Sequence, residues 1–408
     1  MKLIKTCELT SGQESILFDC LKNLDKRYLI QVILCFDCEI NVSKLNQALV
    51  ALCNQNEVLC SVINMDDYLQ PMIEIYDEGR YALCLYEQDR EWNACLDHGL
   101  CSVDYQNTPV HIGVLIKDGK SKIIVSYHHI LFDGWSGTYF IYRMCKYYRL
   151  LVENIQLPTV RSPSFYDFSI ETKKLNTAKS KCFWVDYLQG CTPSIVGLSE
   201  IKEQSCLEEL KLRFSLTKNE MEQIVFLLKH EHITVANYLS ATWAITLAEH
   251  LNTPDVVFGY TYSGRHLGYK DIGQIMGVLF TCLPLRVVVT KHKFWDLFRK
   301  VQELSLSVME HQFTPLVEIM SEIGMSGQKI YNTVLTIENY FEVLSLENMA
   351  DLGITNVEFT EYSNVDLLVQ VFLHDGLNVV ITSKLPNSVQ LVNQIGTLFI
   401  KNLKAILK

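Results

Sequence analysis

The sequence predicts an α/β protein built from two lobes of similar make-up. Three observations carry this. The chain has 408 residues, enough for two domains of roughly 200. Apolar residues make up 49% and charged residues 20%, so a large core can be packed. Strand-like and helix-like segments alternate in both halves, with a loop-rich stretch between them near residues 155 to 180.

In the first half, Tyr28 to Phe36 is apolar and β-branched and reads as a strand. Asn41 to Asn54 carries Leu45, Leu49 and Leu52 on one helical stripe, with Asn41 or Ser43 as its cap. Val110 to Ile116 and Lys122 to Tyr127 flank Lys117-Asp-Gly-Lys120, a hairpin signal. A helix is expected from Ser136 to about Asn154, and Pro158 with Ser162-Pro163-Ser164 marks the loop that follows.

The second half repeats the logic. Leu210 to Leu216 is a strand, and Thr217-Lys-Asn-Glu220 is a capping box that opens a helix through His230. Thr234 to Leu251 is a long apolar helix. Val256 to Tyr260, Leu283 to Thr290 and Leu377 to Ser383 are strands, and Phe294 to His311 and Ser388 to Leu407 are helices.

The most informative stretch is Ser126-Tyr-His128-His129-Ile-Leu-Phe-Asp133-Gly134-Trp135-Ser136. It leaves a buried strand, makes a short turn and enters a helix, a setting in which α/β folds expose chemistry. A histidine there can act as a general base near neutral pH. Asp133 either orients a histidine ring or locks the turn by pairing with an arginine elsewhere.

Composition narrows the function. Net charge is −10, which argues against nucleic acid or an anionic membrane as the main partner. No uncharged apolar run is long enough to span a membrane, and Met1-Lys-Leu-Ile-Lys lacks a signal-peptide core. The fourteen cysteines are scattered, several in apolar runs, so they read as reduced small hydrophobes in a cytoplasmic protein. Cys35-Phe-Asp-Cys38 has no second ligand pair to complete a zinc site, so no metal is expected. His230 and His232 flank Glu231 in a polar loop and read as solvated, and Lys146-Tyr-Tyr-Arg149 as part core and part surface. No phosphate loop, dinucleotide fingerprint or Gly-x-Ser-x-Gly elbow is present.

The His128-to-Ser136 segment resembles the His-His-x-x-x-Asp-Gly signature of nonribosomal peptide synthetase condensation domains, relatives of chloramphenicol acetyltransferase. The resemblance covers nearly the whole chain. Leu9-Thr-Ser-Gly-Gln13 is similar to the opening Ser-x-Ala-Gln motif, and Asn56-Glu57-Val-Leu59 to His-Glu-x-Leu-Arg. Tyr166-Asp167-Phe168 resembles the Tyr-x-Asp-Tyr region, and Phe183-Trp184 to Gly190 the Trp-x-x-x-Leu that follows. Val257-Phe258-Gly259 to Ser263-Gly264-Arg265 resembles the Phe-Gly…Gly-Arg segment. Met276-Gly277 to Pro284-Leu285-Arg286 is similar to Gly-x-x-x-Asn-x-x-Pro-x-Arg, and His311-Gln312-x-x-Pro315-Leu316 to Gln-Asp-x-Pro-Phe. Asn56, Cys60 and Thr281 depart from the pattern, and a last motif is faint around Val334 to Asn339.

The resemblance implies two chloramphenicol-acetyltransferase-like lobes, residues 1–170 with the double histidine and residues 171–408, forming a V with the active-site tunnel between them. It implies His129 as the base or positioning group, with Gly134 supplying an N–H to the oxyanion and Asp133 completing the catalytic turn. His128 packs under the turn, and Trp135 supports it. Asp133 is expected to pair with Arg265, Arg286 being the runner-up. Asn339 and Ser136 are weaker candidates for substrate contact. The implied activity is a free-standing condensation enzyme that forms an amide or ester bond. The acyl or aminoacyl donor sits on a carrier protein's phosphopantetheine arm, because the chain has no carrier motif or nucleotide-activating loop of its own. The acceptor is a soluble amine or alcohol, or a second carrier-bound group. No cofactor is bound by the chain itself, and a monomer is expected. Two alternatives stand beside this: acyl transfer from coenzyme A, and a carrier-docking domain without turnover.

Overall fold

A computed structural model describes residues 2–22, 28–86, 92–93, 103–159, 161–197, 209–290, 294–338, 351–361, 365–374 and 376–407. They form two compact units. The first comprises residues 1–174, 264–280 and 340–364, and the second residues 175–263, 281–339 and 365–408. Two stretches of the second half thus belong to the first unit, whereas contiguous lobes 1–170 and 171–408 are what the sequence suggests. Hydrophobic periodicity reports the face that a segment buries, not the body in which it is buried.

The first unit carries a five-stranded sheet and a three-stranded one. The larger is built from β2 (Leu29–Phe36), β5 (Tyr81–Tyr86), β6 (Val110–Lys117), β7 (Lys120–His128) and β12 (Ile354–Glu361), in the order β12-β2-β7-β6-β5. Its pairs are antiparallel except β5 with β6. The β6–β7 hairpin closes on Asp118 and Gly119, both at positive φ (52° and 77°). That is the left-handed pair a two-residue type I′ turn requires, and Asp-Gly supplies it. The smaller sheet joins β1 (Leu3–Glu8), β4 (Met72–Tyr76) and β3 (Ser61–Asn64) in that order. Helices α1 (Ser11–Lys22), α2 (Val42–Gln55), α3 (Gly134–Val152) and α4 (Phe165–Lys173) complete the unit. In α2, Asn41 caps by accepting from Lys44 N at 3.0 Å, and Leu45, Leu49 and Leu52 are buried.

The second unit has one six-stranded sheet. It is built from β8 (Leu210–Leu216), β9 (Asp255–Tyr262), β10 (Thr281–Val288), β11 (Thr333–Glu338), β13 (Leu367–Phe372) and β14 (Leu377–Ser383), in the order β10-β9-β11-β13-β14-β8. Its helices are α5 (Ala178–Leu188), α6 (Lys218–His230), α7 (Val235–Leu251), α8 (Phe294–Glu310), α9 (Leu316–Glu322) and α10 (Val389–Leu403). The capping box at Thr217 and Glu220 is formed in both directions. Helix α7 is buried from Asn237 to Leu247, Trp243 included, as expected of a helix whose middle is covered on every side.

Candidate active site

The site grows from the end of β7. In the sheet, Leu29 stands opposite His128, and Ile30 opposite Tyr127 on one side and Glu361 on the other. The chain then turns through Ile130, Leu131 and Phe132, all buried, which seat the turn in the first unit. Phe132 packs edge-on against Tyr127 and stacks on Phe140, both with ring centroids 5.4 Å apart. Its carbonyl is thereby fixed, and that carbonyl meets His129 Nδ1 at 2.7 Å.

This contact sets the histidine's tautomer. A carbonyl oxygen only accepts, so Nδ1 carries the hydrogen and the neutral ring leaves Nε2 with a free lone pair. The His129 ring also lies 5.3 Å from that of Phe280, and its main-chain N–H donates to Tyr28 O at 2.6 Å. Nε2 faces Glu361 Oε1 at 3.9 Å.

His128 is in a different environment. Its side chain is buried, Nδ1 accepts from Ile130 N at 3.1 Å, and Nε2 lies 3.8 Å from Cys20 Sγ. Tyr105 closes over the ring at 4.9 Å. Burial, reinforced by neighbouring His129, pushes its pKa down to about 3, so it stays neutral at any physiological pH.

Asp133 is the N-cap of α3, and its carboxylate is saturated. Oδ1 accepts from Ser136 N at 2.8 Å and Arg265 Nη2 at 3.1 Å. Oδ2 accepts from Arg265 Nη1 at 2.6 Å and Leu279 N at 3.1 Å. The ion pair with Arg265 is therefore formed, with both side chains at most 10% exposed. A carboxylate so committed does not hold the His129 ring; it shapes the turn. Arg286, the runner-up partner, instead pairs with Asp255 at 2.7 Å inside the second unit.

Ser136, a candidate for substrate contact, is fully buried. Its hydroxyl donates to Gly277 O at 2.9 Å and accepts from Gly277 N at 3.0 Å and Arg265 Nη2 at 2.8 Å, so nothing remains for a substrate. Trp135 donates from Nε1 to Gly273 O at 2.8 Å and lies 5.8 Å beneath the Arg265 guanidinium. Gly134 opens α3, where a helix cannot satisfy its first N–H groups internally. Asn339 lies outside the described residues.

Two glycines make the framework possible. Gly264, at φ +69°, comes so close to Leu279 O that a Cβ would collide with it, and it aims Arg265. Gly277, at φ +150°, comes as close to the Phe165 ring. The opening motif is structural too. Gln13 Nε2 donates to Ile130 O at 2.9 Å, while its Oε1 accepts from Thr10 N at 3.0 Å, so α1 clamps the histidine turn. Glu57 pairs with Lys5 at 2.7 Å and accepts from Tyr166 N at 2.7 Å at the start of α4.

Sequence reasoning passed over Glu361, Phe280 and Tyr105. Glu361 ends β12, Ile354–Glu361, a strand that the sequence reading does not include. Its partner β2 lies far away in the sequence, and nothing local signals that pairing. Among the described residues, no group of three or more His, Cys, Asp or Glu is placed to hold a metal ion. No helix of the described residues is long and apolar enough to cross a membrane.

Comparison with known proteins agrees with this architecture. Gramicidin S synthase 2 of Brevibacillus brevis is 25% identical over 392 residues, which is 91% of this chain and 9% of that protein. Surfactin synthase subunit 3 of Bacillus subtilis is 25% identical over 378 residues, 88% of this chain and 29% of that one. The chain thus spans only a small part of these relatives. Among solved structures, the starter condensation domain of rhizomide synthetase superposes with a TM-score of 0.77 at 15% identity, covering 99% of this chain and 97% of that one. The first condensation domain of the calcium-dependent antibiotic synthetase gives 0.76 at 17%, covering 98% of both chains. These likenesses establish the fold as that of the acetyltransferase-like condensation domains. Residues 4–384 match the condensation domain family, and the chain belongs to this family of acyl-transferring, amide-bond-forming enzymes.

Proposed function

We propose that this chain transfers an acyl or aminoacyl group from a carrier protein's phosphopantetheine thioester to an amine or hydroxyl acceptor, in the assembly of a nonribosomal peptide or related metabolite. One observation carries the reading: His129 Nδ1 is tied to Phe132 O, which leaves Nε2 as the base. A thioester is already activated, so the protein has only to position the nucleophile, accept its proton and steady the oxyanion. The acceptor attacks the carbonyl carbon while His129 Nε2 takes its proton. In this reading the N–H of Gly134, at the positive end of the α3 dipole, donates to the oxyanion. The C–S bond then breaks, and the proton passes from Nε2 to the departing sulfur.

The Nε2 lone pair that this tautomer leaves favours this over a carrier-docking domain without turnover, which has no use for a base of fixed tautomer. Buried thiols such as Cys7 and Cys145, whose pKa values burial pushes up to about 12, suit a reducing compartment, and we place the protein in the cytoplasm. The test offers the same acyl group on a carrier protein and on coenzyme A, with product followed by mass spectrometry. Transfer from the carrier at about tenfold or more the rate from coenzyme A is expected, since carrier contacts add binding energy that the free thioester lacks. Equal rates, or transfer from coenzyme A alone, would replace the carrier with coenzyme A as the donor.

A further inference from the structure

Helix α2 ends beside a pair of sulfurs. Cys53 lies in its last turn, and the chain leaves the helix at Asn56, whose extended backbone (φ −136°, ψ 104°) leads into a short 3₁₀ segment, Glu57–Cys60. The reversal is held from both sides. Asn56 donates to Leu52 O from its N–H at 2.9 Å and from Nδ2 at 2.8 Å, and Arg80 N donates to Leu59 O at 2.8 Å. Cys60 is thereby folded back onto Cys53. Its Sγ donates to Cys53 O at 3.5 Å, and the two thiols hydrogen-bond each other. The main chain of Gly79 backs the pair so closely that a Cβ there would stand 2.5 Å from Cys53 Sγ.

Both cysteines are buried, and neither takes part in the acyl transfer described above. Cys60 also stands in place of the arginine of the His-Glu-x-Leu-Arg motif. We propose that Cys53 and Cys60 are an oxidisable pair that closes to a reversible disulfide when the protein meets a hydroperoxide.

The hydrogen bond between the thiols assigns their roles. The Cys53 S–H donates to Cys60 Sγ, which favours the Cys60 thiolate and lowers its pKa. Cys53 keeps its proton, its pKa raised by the same bond and by burial. The thiolate is the nucleophile. Cys60 Sγ attacks one peroxide oxygen, the O–O bond breaks, and the far oxygen leaves as water or an alcohol with the proton that Cys60 gave up. Cys60 is then a sulfenic acid. Cys53 Sγ attacks Cys60 Sγ, the S–O bond breaks, and the Cys53 proton leaves with the hydroxyl as water. The two thiols lose two electrons and the peroxide gains them. A small thiol reopens the bond by exchange, as for transient disulfides in a reducing compartment. Closure ties α2 to the segment that carries Glu57, the residue that pairs with Lys5 and accepts from Tyr166 N at the start of α4.

The test treats the whole protein with near-stoichiometric hydrogen peroxide, then alkylates it in denaturant and digests it with trypsin. Cleavage after Lys44 and Arg80 releases residues 45–80, which hold these two cysteines and no other. The bridge is therefore read by mass as a peptide that lacks two hydrogens and takes up no alkylating reagent. It is expected to form about tenfold or more faster than Cys7 and Cys145 are oxidised, since burial pushes those two thiols up to about 12. Dithiothreitol should restore both alkylation sites. In Cys53→Ser, which keeps a hydrogen-bond donor beside Cys60, dimedone should trap a sulfenic acid on Cys60. In Cys60→Ser, Cys53 should stay unlabelled. A 45–80 peptide still alkylated at both positions after Cys7 and Cys145 have reacted would overturn the proposal, as would a dimedone adduct on Cys53 in Cys60→Ser.

Discussion

His128 and His129 are adjacent in sequence and opposite in job, and the difference lies in what each ring touches. His129 keeps one nitrogen on Phe132 O and turns the other towards Glu361, whereas both nitrogens of His128 are used inside the fold. The resemblance already divides them, His129 as the base and His128 packed under the turn, and the sheet end, with Tyr105 and Cys20 around His128, supplies the physical reason. A consequence follows for acid stability. The unfolded chain protonates His128 below about pH 6.5, the folded chain only near 3. The ring's contribution is therefore fully present above pH 6.5 and is lost as the pH falls from there towards 3, at up to about 1.4 kcal/mol per pH unit. Urea unfolding of the wild type and His128→Asn across this range should show the wild type falling more steeply. Parallel curves would mean that His128 takes up its proton without unfolding.

Helix α3 shows the same economy at the scale of an element. Asp133 both caps the helix and pairs with Arg265, which arrives from 132 residues later. Where the signal is local, the sequence read such elements well: β8 and β14 match residue for residue, as does the capping box of α6. Short elements without strong periodicity, such as β3 and α9, escaped it, as did β11 and β12, whose partners are distant. The Asp133–Arg265 pair was legible only through resemblance, because no periodicity connects its ends. Each half of a buried ion pair is costly to leave alone, typically about 3–5 kcal/mol. Asp133→Ala and Arg265→Ala should each lower stability by about that much. The double variant should lose clearly less than the sum, since neither charge is then orphaned. Chemical denaturation of the four proteins measures this, and additive losses would show that the two side chains do not depend on each other.

At the scale of the whole molecule, the sequence conveyed the α/β class and the two-part composition, but not the exchange of segments. Residues 264–280 bring Arg265, Gly277 and Phe280 to the histidine turn, and the strand ending in Glu361 adds an edge to its sheet. The site is thus assembled in the first unit from four distant parts of the chain: the Gln13 clamp, the turn after β7, the 264–280 stretch and β12. All four meet around the turn that carries His129, and the proposed chemistry depends on what its Nε2 does. The most direct test is single-turnover acyl transfer from a loaded carrier protein to a primary amine, comparing the wild type with His129→Ala and monitoring the fold by circular dichroism. The account predicts an unchanged spectrum and a rate lower by about 10²–10⁴. A folded His129→Ala protein that transfers its acyl group at close to the wild-type rate would contradict it.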